Sequence, residues 1–139
     1  MTLNKGQLQE YPAKILMAFG EAIDGNEKIF SWLLKNGYPE LAALSKAIRG
    51  SDEAFQWLMK NGFPQYAALD MAIVNDKKAY EWLDKYKFHF LIVLANASQG
   101  KKDAIRWLAM HDLQIFIRIS KKIKTFTNAQ TFDYHKLHF

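Results

Sequence analysis

The stretch Gly50-Ser51-Asp52-Glu53-Ala54-Phe55-Gln56-Trp57-Leu58-Met59-Lys60-Asn61-Gly62-Phe63-Pro64 opens on one glycine and reaches a second, Gly62, two residues before its end. Ala54, Phe55, Trp57 and Leu58 fall at i, i+1, i+3 and i+4, which is one broad face of an α-helix. Asp52 sits where a helix start accepts an acidic side chain. At the other end Gly62 reads as a left-handed helix stop, Phe63 as the apolar contact after it, and Pro64 as the opening of the next helix. Such a short helix cannot bury its apolar face alone, so its neighbours decide the fold.

Those neighbours repeat it. Trp32, Trp57, Trp82 and Trp107 are spaced 25 residues apart, each followed by a leucine: Leu33, Leu58, Leu83 and Leu108. Phe30, Phe55, Tyr80 and Ile105 stand two residues before them, and Tyr38, Phe63, Phe88 and Leu113 six residues after. A second set of columns keeps the same period. Leu16, Leu41, Tyr66, Leu91 and Phe116 form one, Phe19, Leu44, Leu69, Leu94 and Ile119 another, and Ala22, Ala47, Ala72 and Ala97 a third. Each unit is therefore two short helices. Gly25, Gly50, Asn75 and Gly100 separate them at a turn requiring positive φ. Lys87 and Asp112 stand where Gly37 and Gly62 end the earlier units, so those two later turns are expected to differ in shape.

Stacked helix pairs give an all-α fold, an α-solenoid of short antiparallel helix pairs with about nine helices. The units run over residues 12–38, 39–63, 64–88 and 89–113, followed by a terminal helix over 114–124 and an aromatic capping tail over 125–139. The tail holds Phe126, Phe132, Tyr134, Leu137 and Phe139 and is expected to fold back over the open end. The tryptophans read as the hydrophobic spine between helix layers. Altogether 139 residues, 50% hydrophobic and 14% aromatic, make one domain with a packed core.

Composition removes several classes of function. The absence of cysteine excludes disulfide scaffolds, thiolate zinc sites and cysteine nucleophiles. The longest apolar run, residues 90–95, is far short of a membrane span. Residues 1–20 lack the pattern of a signal peptide, so a cytoplasmic location is expected. His135 and His138 have an HxxH spacing without a third metal ligand nearby. No catalytic constellation stands out, and neither enzyme activity, a cofactor nor a metal is expected.

The helix pair resembles the helical part of an ankyrin repeat, with residues 50–63 similar to that family's second helix. Leu69-Asp70-Met71-Ala72 stands where ankyrins carry Thr-Pro-Leu-His, and only the leucine and the later alanine match. The 25-residue period leaves no room for the ankyrin β-hairpin finger, and Trp replaces a leucine. The resemblance implies protein recognition through a repeat surface lined by first helices. On that basis the partner-binding candidates are Asp70, Met71, Val74, Asn96 and Gln99, in columns whose residues change from copy to copy. The charged faces of the second helices, by contrast, read as solvated surface.

Charge points to an alternative. Residues 1–74 carry 7 Lys/Arg against 8 Asp/Glu (7 − 8 = −1), and residues 75–139 carry 12 against 6 (12 − 6 = +6). Lys101, Lys102, Arg106, Arg118, Lys121 and Lys122 are candidates for contact with an anion or a nucleic acid, or else for the polar outer face of a terminal unit. A protein partner is the leading expectation and a nucleic acid the second. No membrane is expected, and the chain is expected to be a monomer or weak homo-oligomer.

Overall fold

The computed structural model describes residues 7–137, with side chains described as far as residue 129. A short 3-10 helix, Leu8–Glu10, precedes α1 (Ala13–Ile23), α2 (Glu27–Lys35), α3 (Pro39–Ile48), α4 (Asp52–Lys60), α5 (Pro64–Ile73), α6 (Lys77–Lys85), α7 (His89–Ser98), α8 (Lys102–Met110) and α9 (Gln114–Leu137). The described residues are all-helical, and consecutive helices pack in antiparallel pairs as the 25-residue period predicts.

Burial separates the helices into two layers. The odd-numbered helices each pack against the next odd-numbered one and hold most of the core, whereas each even-numbered helix lies outside, against its two odd neighbours. The inner row does not stay open. α9 packs against α1, so the five inner helices close into a ring. Lys122 of α9 reaches Asp24 and, at 3.6 Å, Glu21 of α1, joining positions 98 residues apart. Its stem passes over Gly20, where a Cβ would stand 3.3 Å from the Lys122 Cδ and 3.8 Å from Ile119.

Both rims of the ring are occupied. At the start of the inner helices Leu8 is buried, and Tyr11 donates to Glu40 and meets Tyr38 edge-on. Burial, reinforced by Tyr66 and Glu40, pushes the Tyr11 phenol well above its ordinary range. At the opposite rim the Arg49 guanidinium lies 4.7 Å from the Phe126 ring centroid.

The leucine column is the true spine. Leu33, Leu58, Leu83 and Leu108 are completely buried, whereas Trp32 and Trp107 are 41% and 38% exposed and Trp57 and Trp82 half-buried. The indole is too large for the seam between layers. Three of the tryptophans instead stack on the aromatic residue six positions later, at 6.3 Å for Trp32–Tyr38, 6.2 Å for Trp57–Phe63 and 5.8 Å for Trp82–Phe88. Trp107 stacks on His111 at 3.8 Å. The tryptophans pin each outer helix to its own following turn.

The turns explain another departure from expectation. Lys87 and Asp112 take φ of 65° and 59°, the same left-handed conformation as Gly37 and Gly62 at 91° and 88°. The closing bonds also match, with Phe88 N–H to Leu83 O at 2.8 Å and Leu113 N–H to Leu108 O at 2.9 Å, against 2.9 Å for Tyr38 to Leu33 and Phe63 to Leu58. The repeat imposes one turn shape, and Lys87 bears its steric cost. Lys87→Gly is therefore expected to raise the unfolding free energy by about 0.5–1 kcal/mol, the left-handed penalty less glycine's greater unfolded freedom. Urea denaturation measures this, and an unchanged or lower midpoint would refute it.

One column does lack its turn residue. Gly25, Gly50, Asn75 and Gly100 have φ of 96°, 100°, 67° and 84°, but Thr125 stands at the next position. No turn forms there, and α9 runs unbroken from Gln114 to Leu137. The terminal helix thus does not end at 124, and residues 125–137 do not turn back over the last pair. Residues 138 and 139 lie outside the described residues.

Candidate functional site

The partner-binding candidates divide into residues with internal duties and residues facing a groove. Tyr80 OH donates to Asn96 Oδ1 at 2.8 Å, and Gln99 Nε2 donates to Tyr80 OH at 2.9 Å. The same Gln99 amide bonds Ala72 O at 2.8 Å, at the end of the preceding inner helix. Arg49, two units earlier in the same column, does the equivalent task by donating to Ile23 O at 2.9 Å. The last carbonyls of a helix lack intrahelical partners, so these side chains fasten one inner helix to the next. Val74 occupies the same column without a donor and is 60% exposed. The variability of the column therefore accommodates different ways of finishing the neighbouring helix.

Met71 is half-buried and lines a groove of about 240 Å³ over α5, between α4 and α6, with Phe55, Met59, Pro64, Ala67 and Trp82. A larger groove, about 560 Å³, lies over α3 between α2 and α4, and its walls include Phe30, Leu34, Ala43, Lys46, Trp57 and Lys60. The two grooves share α4. Leu34 and Met59 are 47% and 49% exposed on their walls. Neither residue was among the sequence candidates, because the outer helices read as charged surface. The available signal was a hydrophobic pair, Leu34 and Met59, in a column that continues as Asp84 and Ala109.

Asp70 lies apart from the residues lining these grooves. It shares a column with Gly20, Ser45, Ala95 and Ser120, all buried. Desolvation pushes its carboxyl from the usual range up to about 7. The serine hydroxyls of that column settle on their own helices, Ser45 on Ala42 O and Ser120 on Ile117 O, both at 2.7 Å.

The basic candidates serve several different purposes. Lys122 belongs to the ring closure. Arg106 lies 3.5 Å from Asp103, with both side chains exposed. Lys101 donates to Asn96 at 3.2 Å. Arg118 lines a third groove, about 320 Å³, between α9 and α1, and Lys102 and Lys121 are exposed. His135 and His138 lie outside the residues whose side chains are described. Among the described residues no helix is long and apolar enough to cross a membrane.

Comparison of the chain with protein-family models, curated proteins and solved structures returns no match.

Proposed function

We propose that this protein is a non-enzymatic protein-interaction module whose contact surface is the pair of grooves flanking α4. The observation that carries this reading is the exposure of Leu34 and Met59 on the walls of adjoining apolar grooves, built on inner helices that the ring holds in place. Preformed apolar recesses take anchoring side chains from a partner segment without reorganising the receptor. The resemblance of the helix pairs to ankyrin helices supports the same class of function. Within this reading Met71 is the candidate that touches a partner directly. Asn96 and Gln99 act indirectly, Gln99 by fastening the end of α7 to α5 and Asn96 by bonding Tyr80 of α6.

Substitution of both exposed anchors, Leu34→Asp with Met59→Asp, is expected to abolish specific co-purifying proteins while leaving the circular dichroism melt within a few degrees of the parent. Neither side chain is buried, so the substitutions cost little stability. Lys28→Glu, on the exposed face of α2, serves as the charge control and keeps the partners. A folded double variant that retains every specific partner would refute this surface.

A further inference from the structure

Among the described residues, the seam between α9 and α1 lacks the outer helix that every other seam of the ring possesses. α2 covers α1 and α3, α4 covers α3 and α5, α6 covers α5 and α7, and α8 covers α7 and α9. Over α9 and α1 there is instead the 320 Å³ groove, with Met17 53% exposed on one wall and Arg118 and Ile119 on the other. The chain's own fifth outer helix cannot fill it. Thr125 replaces the turn residue, and Phe126, like Lys101 before α8, brings no capping group where Asn26, Ser51 and Asp76 cap the first three outer helices. Asp133 falls in the column where Leu33, Leu58, Leu83 and Leu108 are fully buried. A break at 125 would force a β-branched residue into positive φ and place a carboxylate against the core. α9 continues as one helix instead.

We propose that the groove between α9 and α1 receives the extension of α9 from a second copy of this chain, forming a two-fold dimer. Length and polarity both suit this occupant. Residues 125–137 extend about 20 Å beyond the inner part of α9 at 1.5 Å per residue, enough to pass a second ring whose inner helices have 10 or 11 residues. Under a two-fold axis across the helix the extension runs antiparallel to the partner's α9, the direction in which outer helices run against inner ones. With the axis between residues 125 and 126, Arg118 of each copy meets the register position of Asp133 in the other. The groove thus offers a cation, and in the exposed Met17 an apolar wall, to an extension that brings an anion and an aromatic residue. This surface is distinct from the grooves flanking α4, so each proposal fails or stands without the other.

Sedimentation equilibrium on the full chain is expected to give a dimer. Arg118→Glu and Asp133→Lys are each expected to weaken dimerisation at least about tenfold, because like charges then meet twice across the axis. An equimolar mixture of the two variants is expected to recover a heterodimer, since reversed and native charges pair across it. Met17→Glu, on the opposite wall of the groove, should also weaken dimerisation and should not be rescued by Asp133→Lys. Circular dichroism verifies that each variant is folded. A parent chain that stays monomeric at about 100 μM overturns the proposal. So do single variants that dimerise like the parent, or a mixture that remains monomeric.

Discussion

Asp70→Ala is expected to stabilise the protein by about 2–4 kcal/mol at pH 8 and by almost nothing below pH 4. The Asp70 carboxyl titrates near 7 in the folded chain against an ordinary value of 3.8. At about 1.4 kcal/mol per pKa unit, that difference sets a ceiling near 4 kcal/mol. The sign follows from proton binding. Between pH 4 and pH 7 the folded chain keeps a proton that the unfolded chain releases, so stability falls as pH rises, and the full penalty applies above 7. Alanine already occupies the equivalent, fully buried position as Ala95, so the replacement fits. The melting temperature of the parent should fall between pH 5 and pH 8, and the variant should lose that slope while melting about 10 °C higher at pH 8. Parallel profiles for the two proteins would show that desolvation of Asp70 is not the cause.

Gly20→Leu should act in the opposite direction, lowering stability by about 2–3 kcal/mol. The first added carbon already presses on the stem of Lys122, and the next ones must enter the contact with Ile119. α1 then separates from α9, and amide exchange should accelerate in both helices together. Gly20→Ala separates this from a helix-propensity effect. Alanine gains about 1 kcal/mol in a helix interior, while only the flexible Lys122 stem must give way, so the two contributions nearly cancel. A Gly20→Leu variant as stable as the parent would mean that the close approach of α1 and α9 contributes nothing.

The units were legible because each signal is local. The leucine column, the left-handed turn at Gly25 and its copies, and the proline starts of α3 and α5 all follow from neighbouring residues. The shape of the turns at Lys87 and Asp112 was not legible, because stacking outweighs the preference of a single residue. The tryptophans misled for a different reason: a large invariant side chain is the natural candidate for a core, yet the smaller leucine beside it fills the seam. Ring closure depends on the summed angles of successive helix pairs, which no residue states. Its trace in the sequence is a paired exception, Lys122 in the alanine column and Gly20 in a column of larger residues. The candidate site was only partly legible. Columns that vary between copies read as surface, but Arg49 and Gln99 are two different side chains doing one internal task, each bonding a carbonyl at the end of the preceding inner helix.

The contact of α1 with α9 also changes how the repeats come apart. In an open array the terminal units have one neighbour each, so they fray first and the array melts inward. Here the first and last inner helices each have a neighbour on both sides, and the ring offers no end from which to unzip. Losing any one pair costs two interfaces instead of one. A chain built mainly from short-range contacts thereby acquires the all-or-none cooperativity of a globular domain, conferred by a single junction between its two extremities.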